Sequence, residues 1–109
     1  MLPTEKLPYK IERYERIAET AGLRASILTL ASGDEVPWHK HNHVNDQFFC
    51  MDGAMCIETR MPASATTLEK GDTLKIPCGQ PHRVMGLKGG GSCQFLIIQG
   101  VGKYDFVPE

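Results

Sequence analysis

The chain has 109 residues, of which 41% are hydrophobic, and a formal net charge of −1. That length supports one domain, residues 1–109, with one modest core, and the near-neutral balance gives no electrostatic case for binding nucleic acid or an anionic membrane. No apolar run approaches the roughly 20 residues needed to span a bilayer.

In chain order, the opening "MLPTEKLPYKIERYER" lacks the apolar segment of a secretion signal, so a cytoplasmic protein is expected. "YERIAETAG" is the one stretch that resembles a helix, but the alternation before it (Tyr9, Ile11) favours a strand or an arm. "GLRASILTLASG" places Leu23, Ala25, Ile27 and Thr29 on one phase and Leu28 and Leu30 on the other. "DQFFCMDGAMCIETR" predicts two strands joined by a tight turn at Asp52-Gly53. "TTLEKGDTLKIPCGQPHRVMG" carries turns at Lys70-Gly71-Asp72 and Pro77-Cys78-Gly79, and "SCQFLIIQGVG" is a long apolar strand after the Gly89-Gly90-Gly91 break. Turn signals at such short intervals predict an all-β chain, an antiparallel sandwich or barrel.

Four cysteines (Cys50, Cys56, Cys78, Cys93) are scattered without a C-x-x-C pair. A zinc ribbon or thioredoxin-like site is therefore not expected, and the thiols read as reduced packing residues. Cys78, in a turn, is the one with any prospect of reactivity.

Three of the four histidines crowd into "PWHKHNHVND", residues 37–46. In a strand, residues two apart share a face, so His39 and His41 point the same way, close enough to bind one ion. Imidazole suits zinc, iron, nickel and copper. Asp46 follows a turn over Asn42–Asn45 and can begin the neighbouring strand facing the same cavity, and His82 lies on a strand of its own. Gln47 would replace Asp46 in the cavity if the register slipped by one. His43 falls where the chain should turn and reads as an exposed loop residue at the cavity mouth, the alternative being a supporting hydrogen bond to a ligand or an acid–base role.

The wider spacing is more specific. Gly33-x5-His39-x-His41-x4-Asp46-x6-Gly53 is followed by Gly71-x5-Pro77-x-Gly79-x2-His82-x3-Gly86. Together these resemble the two signature motifs of the cupin superfamily, motif 1 over residues 33–53 and motif 2 over 71–86. The resemblance implies a small single-domain cupin: a double-stranded β-helix, or conical antiparallel jelly-roll barrel. Carried over position by position, it implies that His39, His41, Asp46 and His82 are metal ligands. Two positions depart from the pattern: Asp46 stands where glutamate is usual, and Gly86 where asparagine is usual. The glycine is expected to be harmless.

Phe48, Cys50, Met55, Ile57, Leu74, Ile76 and Val84 are expected to line an apolar interior suited to a small organic ligand. Arg24, Glu58, Arg60, Gln94 and Gln99 are candidates for its polar groups, and Trp38 for its rim. Phe49 and Met51, on the opposite phase, need cover from the N-terminal arm or a second subunit, so a homodimer is expected. The cofactor implied is a divalent transition metal (manganese, iron, cobalt, nickel or zinc). The function implied is a metalloenzyme of oxygenase or isomerase type, with Asp46 as ligand and candidate catalytic base. The rival is a non-catalytic ligand-binding or sensor module.

Overall fold

The computed structural model describes residues 7–87 and 89–109. Ten strands form two five-stranded antiparallel sheets, and among the described residues there is no helix. The strands are β1 (Arg13–Thr20), β2 (Leu23–Leu30), β3 (Glu35–Lys40), β4 (Asn45–Asp52), β5 (Ala54–Thr59), β6 (Ser64–Glu69), β7 (Thr73–Ile76), β8 (His82–Gly86), β9 (Cys93–Gly100) and β10 (Val107–Pro108). One sheet has the order β1-β2-β9-β4-β7, the other β10-β3-β8-β5-β6. Successive strands alternate between sheets over much of the chain, which makes the sandwich a jelly roll.

Strict alternation explains why these segments are strands. In β9 every second residue is buried (Cys93, Phe95, Ile97, Gln99), and β4 and β5 repeat the pattern. The inward phases of both sheets meet in one core that includes Leu28, Leu30, Phe48, Met55, Ile57, Val84 and Phe95. Each such side chain contributes about 1.5–3 kcal/mol by leaving water. Leu74, expected inside, is half-buried at the core's margin.

Two glycines are dictated by close approach. Gly53 turns β4 into β5 with φ 70°, and a Cβ there would lie 2.4 Å from the Ser92 carbonyl oxygen. Gly86, at the end of β8, donates its N–H to the Asp34 carbonyl at 3.0 Å, and a Cβ there would lie 2.6 Å from the Ala31 carbonyl oxygen. The departure from asparagine at this position is therefore matched to a local backbone contact in this chain.

"YERIAETAG" is strand, pairing with β2 as the sheet edge. The described part of the arm before it, residues 7–12, runs over the barrel mouth, where Tyr9 meets Phe106 at 5.7 Å between ring centroids, and not over Phe49 and Met51. The outer face of the first sheet thus keeps Met51 39% and Ile17 51% exposed, with Phe49 half-buried. All four cysteines are free, Cys50 and Cys93 buried and Cys78 exposed.

Candidate metal centre

The site sits at the mouth, where both sheets contribute. Val36 and His39 both face inward although they are three residues apart. A register shift between them, at Pro37-Trp38, absorbs the extra residue, as a β-bulge does. It re-aims the rest of β3 so that His39 lies directly opposite His82 of β8. His41 follows just beyond β3 on the same phase, and Asp46 enters from β4 in the other sheet.

His39, His41, Asp46 and His82 are all buried, and one donor atom from each lies within 4.8 Å of the others. The Asp46 Oδ2 oxygen is 3.1 Å from His41 Nε2 and 3.0 Å from His82 Nε2. Each imidazole is oriented from behind by a backbone carbonyl: His39 Nδ1 by Pro37 at 2.7 Å, His41 Nδ1 by Asp105 at 2.5 Å, His82 Nδ1 by Gln80 at 2.9 Å. A carbonyl only accepts, so each Nδ1 donates and each Nε2 is left to the centre.

Electrostatics follow the geometry. Burial pushes His39 down to about 3, aided by the neighbouring His82 and His41, so its Nε2 lone pair is available at neutral pH. For His41 burial opposes the charge, but the hydrogen bond to Asp46 and its negative charge outweigh it and raise the pKa. Burial also opposes ionisation of Asp46, yet His41 and His82 hold its carboxyl well below the usual carboxylate range.

This donor set fits a divalent transition metal. Three neutral-capable imidazole nitrogens and one ionised carboxylate converge, and each ring is fixed by the outer hydrogen bond that ligating histidines generally make. With bonds of about 2 Å, opposite ligands stand at most ~4.2 Å apart, so only a small contraction is needed.

Gln47 faces the opposite side of β4, paired with Lys75 and Ile98, so the register places Asp46 in the cavity. His43 is exposed in the bend after His41. Of the candidate polar groups, Gln99 and Arg24 line the cavity, and Gln99 donates to Asp46 Oδ1 at 3.1 Å. Glu58 instead pairs with Arg83, Gln94 with Thr29, and Arg60 stacks 3.9 Å from the Trp38 ring centroid. These side chains do not line the cavity, so Trp38 is a stacking platform for Arg60 and not a rim residue.

The segment after β9 escaped the sequence reading. It crosses the mouth: Phe106 stacks on His39 (4.4 Å, 14° between planes), Tyr104 lies 5.3 Å from the His41 ring, and the Asp105 carboxylate accepts from Asn42. The aromatic pair two apart, Tyr104 and Phe106, was its sequence signal. The cavity at the mouth has a volume of about 40 Å³.

A two-sheet jelly roll with three histidines and a carboxylate at its mouth defines a class of small β-barrel with a metal-capable centre. The cupin domain family profile matches residues 26–99, and the chain belongs to that family. A cupin-2 domain protein from Shewanella frigidimarina is similar over 84% of this chain and 82% of its own, at 25% identity and a TM-score of 0.68. KdgF from a Halomonas species (18% identity, 81% of this chain and 78% of its own, TM-score 0.71) and an oxalate oxidase (16%, 80% and 46%, 0.72) share the fold. No curated protein matches the chain significantly.

Proposed function

We propose that this chain binds one divalent transition metal through His39, His41, Asp46 and His82 and acts with it on a small organic molecule, as an oxygenase or isomerase. The observation that carries the reading is the set of four buried donors with every histidine oriented from behind by a carbonyl. When bound, the metal supplies Lewis acidity or, if it is iron, dioxygen chemistry. The oxalate oxidase among the similar folds supports the oxygen branch.

The chain's own residues do the rest. Tyr9 and Phe106 close the mouth and exclude water, Phe48 and Ile97 give an apolar wall, and Gln99 holds Asp46 in place. Asp46 reaches one methylene less far than glutamate, so it can leave a coordination position open and accept a proton from substrate. The small volume of the cavity favours a second reading, ligand binding without turnover.

The test is elemental analysis of protein purified from its native host without added metal. Wild type and His43→Ala should carry near-stoichiometric metal, and His82→Ala should lose most of it. Equal metal content in wild type and His82→Ala would remove the site assignment.

A further inference from the structure

The outer faces of the two sheets differ in kind. On the second sheet the outward side chains include Arg83, paired with Glu58 and Glu35, and the Arg60–Trp38 stack, a pattern suited to water. On the first sheet the register sets two rows across the three central strands: Ile27, Leu96 and Phe49 in one, Ala25, Ile98 and Gln47 in the next. All six are half-buried, and none is charged. The charged residues in register with these rows stand on the edge strands, Glu15 of β1 opposite Ile27 and Lys75 of β7 opposite Gln47. Ile17 and Met51 extend the apolar area, each at a register shift in its strand. An apolar centre with charge confined to its margin is the anatomy of a protein interface.

Size and symmetry point to what covers it. Strands β1, β2, β4 and β9 have eight residues each. At about 3.3 Å per residue and about 4.8 Å between strands, the five-stranded face measures roughly 26 by 24 Å, or about 600 Å². Two such faces together bury about 1,200 Å², which reaches the range of a stable interface. The face is also matched to itself. β9 is the third of five strands, and its Leu96 has Ile27 on one side and Phe49 on the other. A two-fold axis along β9 therefore lays Leu96 on Leu96 of the partner subunit and Ile27 on Phe49 of the partner subunit. It also sets the edge that carries Glu15 over the edge that carries Lys75. The perpendicular axis in the same plane would stack β7 on β7 and bring like charges together.

We infer that this face binds a second copy of the same chain, sheet against sheet, with the two-fold axis along β9. The interface is isologous, and aligned sheets pack about 10 Å apart. The second copy then backs the sheet that carries Asp46 and Gln99, because Gln47 and Ile98 are their outward neighbours. The inference is independent of the metal.

Sedimentation velocity at micromolar concentration tests it, with circular dichroism to confirm that each variant is folded. Wild type should sediment as a dimer. Leu96→Glu sets two carboxylates against each other at the axis and should raise the dissociation constant on the order of a hundredfold. Met85→Glu, on the outer face of the second sheet, should remain a dimer. The axis is read by complementation. Ile27→Glu and Phe49→Lys should each be monomeric alone, and an equimolar mixture should recover a heterodimer, because the new carboxylate of one faces the new ammonium of the other. These two variants also serve if Leu96→Glu fails to fold. A monomeric wild type overturns the inference and leaves the face to a different protein. A dimer that survives Leu96→Glu overturns the face, and a mixture that stays monomeric overturns the axis.

Discussion

Gly86→Asn restores the residue usual at the end of the second cupin motif, and this structure makes it a destabilising change. A Cβ at position 86 would sit 2.6 Å from the Ala31 carbonyl oxygen, where such contacts essentially never fall below 3.0 Å, and 3.5 Å from Leu30 Cβ. The atom it meets is backbone, so relief requires β8 or the end of β2 to move, and the Gly86 N–H to Asp34 hydrogen bond moves with it. Overpacking of this kind costs about 1–3 kcal/mol. Replacing glycine also narrows the unfolded ensemble, which offsets about 0.4–1 kcal/mol. The net loss is about 1–2 kcal/mol, and at ~2.1 cal/mol/K per residue this corresponds to a fall in Tm of about 4–9 °C. Urea unfolding and thermal melts should be run on metal-free protein, because bound metal would mask the change by linkage. Gly86→Ala should show most of the same loss, since the clash belongs to the Cβ. An asparagine variant as stable as wild type would refute the reasoning by showing that the backbone yields freely.

Asp46→Asn should lose metal affinity, read by metal content after dialysis, because the amide oxygen is a weaker ligand than the carboxylate. Retained metal with lost turnover would instead assign Asp46 as the base. In the folded protein at pH 8, a thiol reagent should modify exposed Cys78 rapidly and Cys93 slowly, since Cys93 is buried and burial pushes its thiol up to about 11; equal rates in a mass-spectrometric time course would contradict the packing. We predict a homodimer through the outer face bearing Ile17, Phe49 and Met51, burying on the order of 1,200–2,000 Å² in total. Light scattering at micromolar concentration should give twice the chain mass, and a monomer would refute it.

The centre was legible in the sequence because its information is local or phase-bound. His39 and His41 share strand parity, and the motif spacing carried Asp46 and His82. What was hidden depended on tertiary context. The bulge at Pro37-Trp38 leaves no mark in composition, yet it decides which way Trp38 faces. β9 is apolar on both phases, with Phe95 and Ile97 on one and Leu96 and Ile98 on the other, so alternation could not say that Gln99 faces inward and Gln94 does not. The closing segment that holds Tyr104 and Phe106 contains a strand of only two residues, too short for any period to emerge.

The three imidazoles differ in what steers them. His39 and His82 are braced by carbonyls two residues earlier on their own chain segments, so their aim survives change elsewhere in the molecule. His41 is braced by Asp105, 64 residues away. Two donors are therefore hard-wired and the third is adjustable. Sequence drift in the closing segment can retune the centre without touching a ligand, while drift in the remaining strands leaves two-thirds of its nitrogen geometry fixed.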